Sequence, residues 1–400
     1  MMAAATINEL YPEIEVFLIE KNDSLGKKVL ISGGGRCNVT TGIADVKTVL
    51  SKYPRGNKFL TTAMYHFPPE EVYTWFESHG IPLKVEEDLR VFPKSNNGKD
   101  VVGVFEKIFA KSNTKILTKH NVDRVGKNSQ GFFIHSKSHS PLQVDKLILT
   151  CGGQAYRSTG STGDGYAFAE ALGHTITKLA PSLNSFITLE KWPKILSGVS
   201  FEEATISAKR DKIYEFAGPF IFTHTGISGP AVFALSSIVA FEDYNQKNPL
   251  RIFIDLTPRL PYHQLKEEFK KVITEHPKKN FKNTIHTFVP KSVAEIICTE
   301  LSISGEKCNA EISKQELELT TEWLKHMPLH AIGRGAGDEF VTAGGVNTDE
   351  VDPRTMESRI IPGLFFAGEI LDVDGFTGGF NLQAAWATGR VAGEHGGYQN

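Results

Sequence analysis

The closing stretch of the chain, Leu364 to Glu394 (LFFAGEILDVDGFTGGFNLQAAWATGRVAGE), constrains the fold more than any other segment. It runs together a buried strand, an acidic turn, a double-glycine corner and a helix. The apolar run Leu364-Phe365-Phe366-Ala367 is expected to deliver Gly368 and Glu369 to the carboxyl end of a parallel sheet, where ligands of open α/β folds sit. Glu369 can there accept hydrogen bonds from a ribityl or ribose hydroxyl. Gly378 and Gly379 carry no side chains just where Phe380, Asn381 and Leu382 open a helix, so backbone N–H groups and the positive end of the helix dipole face a bare corner. That corner suits an anionic ring edge, such as the N1/O2 side of a reduced flavin. A tight turn capping an ordinary helix accounts for two glycines, but not for the acidic turn and the bare corner together.

The remainder of the chain must supply the sheet. At 400 residues, 40% hydrophobic and 22% charged, it has room for two or three domains with substantial cores. A net charge of −2 provides no global basic field to draw in nucleic acid or an anionic bilayer. The longest apolar stretch, Pro230 to Phe241, is interrupted by Ser236 and Ser237 and is too short to span a membrane. Met1 to Ala5 lacks the basic start and long apolar core of a secretory signal, so a cytoplasmic protein is expected. Cys37, Cys151, Cys298 and Cys308 form no CxxC and no close pair, which argues against a disulfide framework, a zinc knuckle or a dithiol reductase; no metal site is expected.

Strand and helix signals alternate in the N-terminal part. The pattern predicts a helix over Met2–Leu10, a buried strand over Ile14–Ile19 ending in Glu20, helices over Pro69–His79 and Val101–Ser112, and strands at Lys115–Leu117, Phe132–His135 and Leu147–Thr150. An acidic residue at such a strand tip is the group that holds an adenosine ribose in dinucleotide folds. From about Ser182 the strands Phe186–Leu189, Ala204–Ala208 and Leu250–Leu256 follow without long helices between them. Tyr262–Leu301 then turns lysine-rich and helical, broken by Pro290, and Lys314–Met327 adds an amphipathic helix. Lys266, Lys270, Lys271, Lys278, Lys279, Lys282 and Lys291 read as a solvated helix face. The architecture implied is α/β: a two-part doubly wound, Rossmann-like domain (1–183 and 338–400), interrupted by a β-rich insertion (184–262) and a helical one (263–337).

Four further segments are rich in glycine. Lys27 to Thr41 (KKVLISGGGRCNVTT) places Gly33, Gly34 and Gly35 between Ser32 and Arg36-Cys37-Asn38, a loop able to lie flat against a planar ring while Arg36 offers a cation to a phosphate or carboxylate. A plain surface loop, with Arg36 in an ordinary salt bridge, is the competing reading. Thr150 to Gly165 ends a strand in Cys151-Gly152-Gly153 and opens a helix at Thr162-Gly163-Asp164, where small residues permit close approach of a cofactor. Phe222 to Pro230 (FTHTGISGP) carries the polar cluster His224, Thr225 and Ser228, and Val341 to Val346 (VTAGGV) is another strand ending in glycines.

Together, ISGGGRCNVT, STGDG, FTHTGISGP, VTAGGV and AGEILDVDGFTGGFNLQAAWATG, in this order, resemble the HI0933-like flavoprotein family, predicted NAD(P)/FAD-dependent oxidoreductases, over essentially the whole chain. The resemblance implies FAD as prosthetic group and NAD(P)H as electron donor. It implies that Glu20, with Lys21, holds the adenosine ribose; that Ser32 to Asn38 lie along the isoalloxazine; that Cys151, Gly152, Gly153, Thr162 and Gly163 border the cofactor; that Gly368 and Glu369 meet the ribityl or pyrophosphate region; and that Gly378 to Leu382 embrace the flavin's pyrimidine edge. The family's opening strand and glycine-rich turn are not found ahead of Met1, so a late-placed start or a shortened chain is expected rather than a genuine apoprotein, with weakened FAD binding and an unfilled slot in the sheet.

The reaction expected is hydride transfer from NAD(P)H through FAD to a small organic acceptor bound between the flavin and the insertion. His224 is read either as its general acid or as a cap for the helix after Pro230, and Arg36 either as an anion anchor or as a salt-bridge partner. The alternative is a flavoprotein or scaffold that binds RNA or a protein partner without redox turnover. Neutral charge and the absence of aromatic residues among the lysines speak against nucleic acid. Substrate identity and oligomeric state are not legible.

Overall fold

The structure, a computed structural model, describes residues 1–335 and 339–398. It divides into two compact units, Met1–Ser182 with Glu339–Asn400, and Leu183–Asp338. The boundary expected at 337/338 lies outside the described residues.

In the first unit short runs form parallel strand pairs, of which Leu364–Phe366 is fully buried while Val16–Ile19 is half-buried and Thr114–Leu117 partly exposed. Val16–Ile19 pairs with Thr114–Leu117, and Leu147–Leu149 with Leu364–Phe366. Among the described residues no ladder joins the two pairs. Both pairs share one core with the opening helix Met2–Leu10 and the terminal helix Phe380–Gly397. These helices can lie backbone to backbone because of Gly393, where an added Cβ would fall 2.5 Å from the Ala3 carbonyl oxygen. The chain leaves this unit after Ala180–Ser182 and re-enters at Val341–Ala343, and these two strands pair antiparallel. The helix expected from Val101 starts earlier, at Gly98, because the Asn97 side chain accepts the Lys99 N–H and caps it.

The second unit is a closed six-stranded antiparallel barrel in the order Phe186–Thr188, Gly226–Ser228, Ile213–Phe222, Ser200–Lys209, Leu250–Asp255, Met327–Arg334. Helices Tyr262–Glu275, Phe281–Ile285, Lys291–Glu300 and Lys314–Lys325 pack with the strands around a single core, so the strand-rich and helical stretches that the sequence pattern separates are one body. Ile213–Phe222 escapes the pattern because it contains Gly218-Pro219. Proline cannot donate to a ladder, and Pro219 sits where the pairing with Ser200–Lys209 is irregular, between Phe201 and Ala204. Met327–Arg334 escapes because Pro328 directly follows an amphipathic helix. Among the described residues no helix is long and apolar enough to cross a membrane.

Candidate functional site

All the expected cofactor residues fall in the first unit: at two strand tips, in the triple-glycine loop and at the mouth of the terminal helix. At the end of Val16–Ile19, Glu20 Oε1 accepts the Asn22 main-chain N–H (2.8 Å) and side-chain amide (2.7 Å), while Oε2 accepts nothing from the described residues. Lys21 Nζ donates to Thr162 Oγ1 (2.5 Å) and Asp164 Oδ2 (2.6 Å), tying the strand tip to the start of the helix Asp164–Ala171. Burial works against the Asp164 carboxylate, but the hydrogen bonds from Lys21 and Thr162 outweigh it and hold its pKa below the ordinary value. Gly163, at φ +86°, caps that helix against Gln154, and Cys151 is exposed beside Gly152 and Gly153. Lys21 and Thr162 are therefore already partnered to each other.

The second corner forms at the end of Leu364–Phe366. The Gly368 N–H donates to Thr388 Oγ1 of the terminal helix (3.0 Å). Glu369 Oε2 meets Lys28 Nζ at 2.5 Å and Oε1 accepts the Thr342 N–H at 3.0 Å, so both carboxylate oxygens have protein partners. Gly153 lies against the same group: a Cβ there would stand 2.5 Å from Thr342 Oγ1 and 3.0 Å from Glu369 Oε1. Lys28 and Thr342 are members of this corner that sequence reasoning missed, since each reaches Glu369 only through the fold.

Lys28 belongs to a one-turn helix, Lys27–Ile31, that leads into the triple glycine. Gly33, Gly34 and Gly35 all adopt left-handed backbone (φ +57°, +69° and +88°), and a Cβ on Gly34 would touch nothing within 4 Å. The residues around this open loop are anchored: Ser32 Oγ donates to the Val29 carbonyl (2.7 Å), Cys37 is buried with its thiol pushed up to about 12 by burial, and Asn38 Oδ1 accepts the Val91 N–H (3.2 Å). Arg36 is not free for an anion. Its guanidinium bonds Glu86 at 2.8 Å and lies 3.7 Å over the Phe92 ring, which is the salt-bridge reading.

At the start of the terminal helix Gly379 is the cap residue, with no side-chain cap and no acidic residue in the first turn. The first helical bond runs from the Gln383 N–H to the Gly379 carbonyl, so the amides of Phe380, Asn381 and Leu382 have no acceptor among the described residues. Asn381 is spent on its own turn, its Oδ1 accepting the Gly375 N–H and its Nδ2 donating to the Gly375 carbonyl, both at 2.8 Å. The acidic turn divides. Asp374 is fully buried in a bidentate pair with Arg55 and accepts the Ser182 hydroxyl (2.8 Å), whereas burial raises the pKa of Asp372, whose Oδ1 has no partner among the described residues. The acidic turn is visible in the sequence; its partner Arg55, 319 residues away, is not.

His224 lies in the second unit, exposed in the turn between Ile213–Phe222 and Gly226–Ser228. It does not cap the following helix Pro230–Ile238, whose cap residue is Gly229 with no side-chain bond. The capping role is thereby ruled out for His224, whose ring has no hydrogen-bond partner among the described residues.

Comparison with known proteins agrees with this arrangement of motifs. A family model described as "HI0933-like protein Rossmann domain" matches residues 1–395. The chain is 30% identical over 384 residues to the "3-dehydro-bile acid delta(4,6)-reductase" of Clostridium scindens, covering 95% of this chain and 92% of that protein. It is also 30% identical over 395 residues to the "Ribosomal RNA dihydrouridine synthase" of Haemophilus influenzae (97% and 93% covered) and over 382 residues to the protein of that name in Escherichia coli (93% and 90%).

Proposed function

The chain belongs to the HI0933-like family, and from that premise we propose that it is an FAD-dependent reductase that uses NAD(P)H to saturate a carbon–carbon double bond conjugated with a carbonyl. Its Rossmann-like unit is of the FAD-binding kind. The residues present fit that cofactor. Three unpartnered amides at the mouth of the terminal helix form a donor set for an anionic or carbonyl ring edge, Gly34 leaves a bare backbone face, and Glu20 Oε2 is available to a ribose hydroxyl. The glycine-fronted first turn carries this reading: its three amides have no acceptor among the described residues and no acidic side chain beside them, and so are open to a ligand's anionic edge.

The reaction class draws on the relatives. Both printed names describe loss of unsaturation, in a 3-dehydro bile acid and in uridine, and in each the double bond is conjugated with a carbonyl. FAD, when bound, supplies the hydride carrier between nicotinamide and substrate. In this proposal Glu20 holds the adenosine ribose, Glu369 is held in place by Lys28 and Thr342 to receive a ribityl hydroxyl, and Phe380 to Leu382 orient the pyrimidine edge. Arg36 is left out, since Glu86 and Phe92 already hold it. His224, whose ring has no side-chain partner among the described residues, is the proposed proton donor.

Anaerobic mixing of the full-length, FAD-loaded chain with NADH or NADPH should bleach the flavin absorbance, and adding a cyclic enone should restore it. His224→Ala should bleach normally and recover slowly. A chain that purifies colourless and stays so with added FAD, or a flavin that neither nucleotide bleaches, would defeat the reading.

A second reading, reduction of uracil within RNA, is favoured by two of the relatives' names. Its surface would be the lysine-rich helices, yet Lys266, Lys270 and Lys282 are already paired with Glu318, Glu267 and Glu306. A small enone is the preferred substrate; reoxidation by a uridine-rich RNA but by no enone would reverse that preference.

A further inference from the structure

The motif VTAGGV, which the proposed function leaves unused, lies where the chain re-enters the first unit. Its strand Val341–Ala343 pairs antiparallel with Ala180–Ser182, the strand by which the chain leaves, so the second unit is joined to the first through one two-stranded root. Two glycines seat this root without side chains. A Cβ on Gly344 would stand 2.1 Å from the Lys178 carbonyl oxygen, and one on Gly345 2.6 Å from that of Ile370. The Val346 N–H donates to the Ile370 carbonyl (2.9 Å) and the Asp372 N–H to the Val346 carbonyl (3.0 Å), which fixes the root to the acidic turn 369–374. Side chains of that same turn grip both strands. Ser182, fully buried, donates its hydroxyl to Asp374 Oδ2 (2.8 Å), the carboxylate that Arg55 also pairs with. Thr342, 4% exposed, gives its N–H to Glu369 Oε1 (3.0 Å), and its hydroxyl accepts the Gln154 N–H (2.7 Å).

The two gripping acids differ in access. The Asp374 side chain is sealed at 0% exposure, whereas that of Glu369 keeps 17%, with its other oxygen resting on the partly exposed Lys28. Of the two, only Glu369 is open to a ligand. We propose that the turn 369–374 couples cofactor loading to the root of the second unit: a ligand hydroxyl held by Glu369 fixes its carboxylate and, through the Thr342 N–H, fixes both paired strands. This rests on the FAD reading above. The coupling needs no displacement, because a carboxylate oxygen has lone pairs for two donors. Once the ligand has ordered Glu369, the Thr342 bond forms at a smaller cost in entropy. Linkage makes the effect reciprocal, so a loosened root weakens FAD binding by the same factor. A grip that served the fold alone would hold the strands equally with and without the cofactor.

Hydrogen–deuterium exchange of the full-length chain, with and without FAD, tests the coupling. A bound ligand slows exchange throughout the unit it stabilises, so the reference is the helix Pro69–Ser78, which carries none of the expected cofactor residues. FAD should slow the amides of 177–182 and 341–346 roughly tenfold beyond that reference. In FAD-loaded Glu369→Ala the extra slowing at 177–182 should vanish, while the helix mouth at 380–383 stays protected. Ser182→Ala, which loosens the outgoing strand, should weaken FAD binding about threefold, read by fluorescence titration. If Glu369→Ala does not fold or load, the wild-type comparison and Ser182→Ala decide. Slowing at the root no greater than at the reference helix, extra slowing that persists in Glu369→Ala, or wild-type affinity in Ser182→Ala overturns the coupling and leaves the FAD reading intact. A chain that takes up no FAD overturns both.

Discussion

Two glycine corners of the first unit look alike in sequence and differ in what surrounds them. At Gly379 an added Cβ would lie 2.3 Å from the Thr40 carbonyl oxygen, so the glycine is demanded by backbone packing. At Gly34 it would meet nothing, and only the left-handed φ of +69° resists a side chain. Behind Gly379 the backbone is closed by the protein itself, while the amides that follow it have no acceptor among the described residues; around Gly34 the loop is left open. A glycine that packs needs no ligand to explain it, whereas one that faces open space points outward, toward a molecule the chain receives. The difference separates glycines that hold the fold together from glycines that keep a surface clear.

Substituting both corners exposes the contrast. Gly379→Ala combines a backbone clash with φ +90°, and should cost about 3 kcal/mol or more of stability in urea denaturation, whether or not FAD is added. A cost under about 1 kcal/mol would show that the corner relaxes, and the distinction would fail. Next in size is Thr40→Val. Thr40 Oγ1 donates to Gln383 Oε1 at 2.6 Å, both groups buried, and links the strand carrying the open loop to the packed helix. Removing it leaves the Gln383 oxygen without a donor, an expected loss of about 1–3 kcal/mol. Gly34→Ala should be milder, about 1 kcal/mol, because strain alone opposes it. Its main effect should appear in FAD retention after gel filtration, reduced while the folded fraction is not. Equal FAD content in Gly34→Ala and wild type would make the open loop an ordinary surface loop.

How far these corners could be read from the sequence follows from the same physics. Buried apolar runs, a strand ending in Glu20 or Glu369, and glycines before a helix are local signals, and they marked the Rossmann-like unit and its two tips. What could not be read were partnerships made by the fold. Arg36 offers a cation in sequence, but Glu86, 50 residues on, consumes it. Asn381 stands at the helix mouth but braces Gly375. Lys28 reaches Glu369 across 341 residues. Composition records which groups are present, and only packing records which remain unanswered.

The smallest effect concerns pH and again divides the packed side from the open one. His174, 4% exposed, lies edge-on to Phe366 (ring centroids 4.7 Å), with Nε2 2.8 Å from Ser358 Oγ and Nδ1 3.2 Å from Glu350. Burial is the largest influence and holds its pKa below the ordinary value, with Glu350 pulling the other way. The Ser358 oxygen already accepts the Ile360 and Ile361 N–H groups, so its own hydrogen goes to Nε2, which a protonated ring cannot accept. Because the folded pKa lies below the unfolded one of about 6.5, the unfolded chain takes up the proton first. The stability tied to neutral His174 is thus complete above about pH 6.5 and falls as pH drops below it. His120, also lowered by burial and by His139, acts in the same direction. The stability difference between wild type and His174→Gln should therefore shrink as urea melts move from about pH 7.5 to about pH 5.5. A difference that stays constant across that range would mean that His174 does not titrate in folding, and that the packed side of the unit carries no acid sensitivity of its own.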